Sequence, residues 1–146
     1  MTRRNISSGS PLEGPIGFSR AVRIGPYVAV AGTAPIAPDG STTAPGDVEA
    51  QTRRCIEIGA EALAEAGASL SDVIRTRIML TDISTWEAAA RAHGAAFSEI
   101  RPVCTFVEVS RFIDPDWLVE VEMDAVVRDW GMGIGDSGVS STLLSR

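Results

Sequence analysis

The chain has 146 residues, 45% of them hydrophobic, which is one domain's worth of core and not the composition of a disordered segment. All 13 basic residues are arginine, so Schiff-base catalysis by lysine and the lysine of a phosphate-binding P-loop are excluded. A net charge of −6, a single histidine and two cysteines argue against a nucleic-acid partner, a histidine-rich metal site and a disulfide framework.

The amino-terminal stretch Met1 to Ser8 carries charge without an apolar run behind it, so neither a signal peptide nor a membrane segment is expected, and the expected location is cytoplasmic. Residues 18–24 and 27–32 read as two strands around the turn Gly25-Pro26. Pro35 to Gly46 is a loop with a turn at Pro38-Asp39-Gly40. From Asp47 the apolar positions Val48, Cys55, Ile56, Gly59, Leu63 and Ala66 recur at helical spacing, with Gly67 as the stop. Cys55 on that stripe is a buried structural thiol.

Val73 to Leu80 alternates as a strand, with Ile74, Thr76, Ile78 and Leu80 expected on one face and Val73, Arg75, Arg77 and Met79 on the other. A second helix is expected from Thr85 to Ile100, ended by Pro102, with His93 read as a surface or interface histidine. Two strands follow, Val103 to Ser110 and Leu118 to Val127. In the last, Val119, Val121, Met123, Ala125 and Val127 share one face, and Glu120, Glu122 and Asp124 the other. An acidic row on an interior strand needs water, cations or another subunit against it, and Arg75 and Arg77 are the partners by parity. The order β-β-α-β-α-β-β predicts an α+β domain over residues 1–128, two helices covering one sheet face. Residues 129–146, rich in Gly and Ser, read as a flexible tail.

The motifs lie in a consistent order. Gly17-Phe18-Ser19-Arg20-Ala21-Val22, Val30-Ala31-Gly32-Thr33-Ala34-Pro35, Asp47 to Gln51, Ala66-Gly67-Ala68-Ser69-Leu70-Ser71-Asp72-Val73, and Arg101-Pro102-Val103-Cys104-Thr105-Phe106-Val107-Glu108-Val109 are followed by Trp117-Leu118-Val119-Glu120-Val121-Glu122. Each fragment is weak alone. Together, over roughly residues 17–127, they resemble the RidA (YjgF) family, whose founding members hydrolyse reactive enamines and imines. That resemblance implies a chorismate-mutase-like fold and a homotrimer with pockets between subunits. The trimer would carry −18, which is against the ribonuclease role sometimes ascribed to the family and against a nucleic-acid partner.

The family pattern Pro-Ala-Arg-Ser-Cys-Val-Glu-Val places a carboxylate-gripping arginine where this chain has Cys104, while the water-positioning glutamate is present as Glu120. Two further departures accompany it: the family's tyrosine is Phe18 and its serine before glycine is Ala31. Loss of a charged, bidentate donor removes about 1.5–3 kcal/mol of ligand recognition, so deamination of free 2-imino acids is expected to be weak. Imine hydrolysis needs water added to the C=N carbon and protonation of the departing nitrogen, for which one carboxyl is a credible minimum; no cofactor and no metal are expected. Glu120 is therefore the candidate catalytic residue. Phe18, Ala31, Gly32, Cys104, Thr105 and Phe106 are expected to shape the cavity, with Arg20 and Thr33 as polar additions. Strand parity places Cys104, Phe106 and Glu108 on the interface-facing side with Glu120, and Val103, Thr105, Val107 and Val109 toward the core. The competing class is a non-catalytic small-molecule-binding or interaction module on the same scaffold.

Overall fold

A computed structural model of the chain describes residues 1–128. The expected Gly/Ser-rich tail at 129–146 lies outside the described residues. Six strands form one sheet: β1 (Arg3–Ile6), β2 (Ala21–Ile24), β3 (Tyr27–Thr33), β4 (Val73–Leu80), β5 (Val103–Glu108) and β6 (Val119–Val126), in the spatial order β1-β2-β3-β6-β4-β5. The helices are α1 (Glu13–Ile16), α2 (Val48–Glu65) and α3 (Trp86–Phe97). The architecture is the expected α+β layer, with the last strand at its centre. No helix is long and apolar enough to cross a membrane.

Helix α2 begins where Asp47 accepts a hydrogen bond from the Ala50 amide at 3.0 Å, satisfying one of the free donors of the first turn. It ends before Gly67, whose φ of +80° is costly for a residue with a Cβ. Its buried stripe, including Cys55, Ile56 and Leu63, packs on the apolar face of β6. The contact is close at Gly59, where an added Cβ would lie 2.8 Å from the Met123 methyl. Val119, Val121, Met123 and Ala125 are all buried, as their alternation predicts. On the opposite face Arg77 Nη1 meets Glu122 Oε1 at 3.0 Å, and Arg75 lies 3.9 Å from Asp124, the partners expected by parity. Both pairs are substantially exposed, so each is worth at most about 1 kcal/mol.

Four expectations are corrected. The chain starts with β1 and α1, neither of which carries a clear periodic signal, and the first predicted strand shortens to Ala21–Ile24. In β4, Val73 is buried and Ile74 is 53% exposed, the reverse of the expected parity, because a register irregularity against β6 between Val73 and Arg75 flips the strand's beginning. In β5, Cys104 sits beside Thr76, Phe106 beside Ile78 and Glu108 beside Leu80, so this set lies on the helix-covered face and Val103, Thr105 and Val107 lie on the acidic face. Cys104 and Glu120 therefore project from opposite faces. The reason is that β5 is an edge strand with little burial on either side, so its alternation carries no contrast to read. His93 is half-buried, its Nε2 2.8 Å from the hydroxyl of the buried Thr76 and its ring stacked on Phe97 at 4.7 Å. Burial without an anionic partner holds its pKa below the ordinary value.

Candidate functional site

The site forms where β3 loses register against β6. Val30 pairs with Met123 but Thr33, not Gly32, pairs with Val121, so one extra residue is accommodated over Ala31 and Gly32. The bulge brings the Gly32 backbone against the side chain of Glu120: a Cβ at position 32 would stand 2.9 Å from Glu120 Oε1. Only glycine leaves the carboxyl where it is. The same bulge presents the Gly32 carbonyl and the Thr33 hydroxyl to Arg20, whose Nη1 donates to both, at 2.8 and 3.0 Å. Thr33 Oγ1 in turn donates to the Ala31 carbonyl at 2.8 Å.

Arg20 lies over the Phe18 ring, 5.6 Å from its centroid, within cation–π range. Phe18 is held by the turn that ends α1, its amide donating to the Glu13 carbonyl at 3.0 Å. Glu13 itself is pinned by Ser8 and Ser10, whose amides donate to Oε2 at 3.0 and 3.2 Å. Residues 7–17 thereby form a braced wall. Opposite them stand the loop after β3, the exposed side of α2, and Trp117 at the entrance to β6. The open cavity between them has a volume of about 850 Å³.

Electrostatics single out two groups in this cavity. Burial raises the Glu120 carboxyl above its ordinary pKa, Arg20 pulls it back and Glu122 adds to the rise. Burial lowers the pKa of the Arg20 guanidinium, while Glu120 and Glu13 act against that shift. A carboxyl that ionises less readily than usual can both accept a proton from water and return it to a leaving group near neutral pH. Cys55, also near, is inert: it is buried, donates toward the Val119 carbonyl at 3.7 Å, and burial drives its pKa strongly upward.

Of the residues named from sequence, the structure brings Phe18, Arg20, Ala31, Gly32, Thr33 and Glu120 to one cavity. Cys104, Thr105 and Phe106 stand apart on the sheet edge, with Phe106 meeting Trp86 edge-on at 6.2 Å between centroids. Among the contributors that sequence reasoning missed are Trp117 and Gln51. Trp117 lines the cavity, and the fully buried Gln51 fixes it by bonding the backbone on either side, its Nε2 donating to the Asp116 carbonyl at 3.0 Å and its Oε1 accepting from the Leu118 amide at 2.9 Å. A glutamine within the apolar stripe of α2 was the available signal, since a buried amide needs partners.

Comparison with known proteins identifies the family and the fold. The family model described as Endoribonuclease L-PSP matches residues 12–127. The Streptomyces coelicolor protein SCO2049 is 42% identical over 122 residues, 84% of this chain and 90% of that protein. The 3-aminoacrylate deaminase RutC of Acinetobacter baylyi is 34% identical over 94 residues, 64% of this chain and 74% of its own length. Among solved structures, Rv2704 of Mycobacterium tuberculosis, a member of the YjgF/YER057c/UK114 family, superposes with a TM-score of 0.78 at 49% identity, covering 86% of this chain and all of that one. Escherichia coli TdcF with bound serine superposes with a TM-score of 0.70 at 26% identity, covering 84% of this chain and 93% of that one. With a family match across nearly the whole described domain and a fold shared with these structures, the chain belongs to the Endoribonuclease L-PSP family, the RidA/YjgF proteins.

Proposed function

We propose that this protein is a homotrimeric hydrolase of C=N bonds, deaminase-like, that acts on a small molecule other than the simple 2-imino acids, with Glu120 as the acid-base residue. The observation that carries the reading is the Glu120 carboxyl in the bulge-built cavity, seated against the bare backbone of Gly32 with its pKa held up by burial. Ionised Glu120 accepts a proton as water adds to the carbon of the protonated C=N bond, giving a neutral carbinolamine. Glu120 then returns that proton to nitrogen; as the C–N bond breaks, the carbinolamine hydroxyl gives its proton to Glu120, which passes it to the departing ammonia, leaving a carbonyl product, an ammonium ion and the ionised carboxylate. The deaminase name of the RutC relative supports the reaction class.

Support for the trimer is that part of the wall expected from sequence, Cys104 to Phe106, lies on the exposed edge strand away from the chain's own cavity, so that it would complete a cavity only in an assembly of several copies. The acidic face with its exposed ion pairs is the surface such a neighbour would cover. Three chains of 15.4 kDa give 46.2 kDa. Glu120→Gln should abolish imine turnover and leave a 46.2 kDa species by native mass spectrometry, because the amide preserves shape but cannot cycle a proton. Turnover equal to the parent's would assign Glu120 to the structural acidic row, whereas no imine turnover by the parent itself would leave the binding-module reading. A stable monomer at micromolar concentration would sink the shared pocket.

A further inference from the structure

Strand β2 is shorter than the strand beside it. In the β2–β3 register Ala21 pairs with Val30, and β2 begins at Ala21, whereas β3 runs on through Ala31 and Gly32 to Thr33. The same three residues cover the slip of β3 against β6, so the bulge lacks a strand on one side and is out of register on the other. Backbone groups in such a place still require partners. Arg20, the residue immediately before β2, supplies them. Its carbonyl accepts from the Ala31 amide at 2.9 Å, and its Nη1 donates to the Gly32 carbonyl and the Thr33 hydroxyl at 2.8 and 3.0 Å. Thr33 Oγ1 closes the ring by donating to the Ala31 carbonyl at 2.8 Å. The Arg20 amide is itself anchored to the Ile6 carbonyl at 2.8 Å, and the guanidinium lies over the Phe18 ring, so both ends of this residue are fixed.

We propose that Arg20 is a positioning residue for Glu120: its side chain stands in for the missing length of β2, holds Ala31 to Thr33 in the bulged conformation, and so keeps the bare Gly32 backbone as the seat of the Glu120 carboxyl. The proposal rests on the reading of Glu120 as the acid–base group for its bearing on rate, and on geometry alone for the placement of the carboxyl. The seat tolerates little movement, because a Cβ at position 32 would already stand 2.9 Å from Glu120 Oε1. A bulge released from Arg20 relaxes toward a regular β3–β6 ladder, which shifts Gly32 relative to Glu120. Arg20 thus acts on the chemistry through Gly32 and Thr33, without contact to the reacting atoms. Thr33→Val separates this role from an effect of the arginine's charge. It keeps every charge and nearly the same shape, and removes only the hydroxyl that joins Arg20 to the Ala31 carbonyl.

The test uses the full chain, imines generated in situ, and the carboxyl carbon resonance of Glu120 in isotope-labelled protein, identified by its loss in Glu120→Gln. Thr33→Val should lower kcat by about three- to tenfold with KM within about twofold, and should displace the Glu120 resonance. Thr33→Ser, which restores the hydroxyl, should recover most of both effects. Arg20→Gln should lower kcat by about tenfold or more, and Arg20→Lys should recover part of that loss. Combining Arg20→Gln with Thr33→Val should cost no more than Arg20→Gln alone, within about twofold, because the two side chains act as one unit. A guanidinium held by hydrogen bonds at one nitrogen rotates slowly about its C–N bonds, so nitrogen spectra of the parent should show hindered rotation for Arg20, whether or not the variants fold. Free rotation of Arg20 in the parent overturns the inference, and so do losses that multiply in the double variant. If imines are hydrolysed in a Glu120-dependent way while Thr33→Val keeps the parental kcat and an unmoved Glu120 resonance, the inference falls and the hydrolase reading stands. If no imine is hydrolysed but Thr33→Val displaces the Glu120 resonance, the placement of the carboxyl by Arg20 stands and the hydrolase reading falls.

Discussion

Gly32→Ala isolates the placement of Glu120 from every other property of the site. The added Cβ would stand 2.9 Å from Glu120 Oε1, whereas ordinary van der Waals contact begins at 3.4 Å, so the carboxyl must retreat by about half an ångström. The obstructed atom is the free end of a flexible side chain, and Gly32 is not in the left-handed region, so the backbone accepts alanine without strain. Replacing glycine within a strand even recovers about 0.5–1 kcal/mol of chain entropy. Melting temperature should therefore stay level or rise slightly. A reacting group misplaced by 1 Å costs on the order of a hundredfold in rate, so half that displacement predicts a loss of roughly tenfold in kcat with little change in KM. The assay is hydrolysis of imines generated in situ, alongside a thermal melt of the same preparation. Undiminished kcat in a folded variant would show that the Glu120 position against the bulge is irrelevant to chemistry.

Four further outcomes follow from the same geometry. With Glu120 acting as a carboxylate, the rising limb of the pH–rate profile should lie above 4.5; Arg20→Gln should push it higher by removing the cation that pulls it down, and Glu122→Gln should lower it. Because folding raises this pKa, the associated stability is fully present below the unfolded value and is lost as pH rises through the folded one, so Glu120→Gln at neutral pH should not lower the melting temperature. Gln51→Ala should cost about 1–3 kcal/mol in denaturant melts, by orphaning the Asp116 carbonyl and Leu118 amide, and should broaden the Trp117 resonances. Cys104→Arg should improve 2-ketobutyrate affinity by at most about 1.5–3 kcal/mol, measured by titration beside the parent; since Cys104 shares no face with its own Glu120, a gain in a species that is monomeric at the working concentration would contradict the shared pocket.

The strongest patterns in the sequence were those where burial differs sharply between neighbours. Strand β6 lies at the sheet's centre with helices on one side only, so a period of two separates Val119, Val121, Met123 and Ala125 from the acidic row and identifies Arg75 and Arg77 as its partners. Helix α2 was equally legible, because Asp47 and Gly67 mark its ends by local backbone chemistry that needs no tertiary context. The family resemblance named Glu120 and Gly32, and six of the nine candidate residues share the cavity. Tertiary structure alone decided the rest. The orientation of Cys104 depends on which strand β5 joins, and an edge strand exposed on both sides has no alternation strong enough to announce it. The aim of Arg20 depends on a bulge one strand away, whose extra residue exposes the Gly32 carbonyl and Thr33 hydroxyl to it; such a slip is a property of the β3–β6 pair and is written in neither strand by itself.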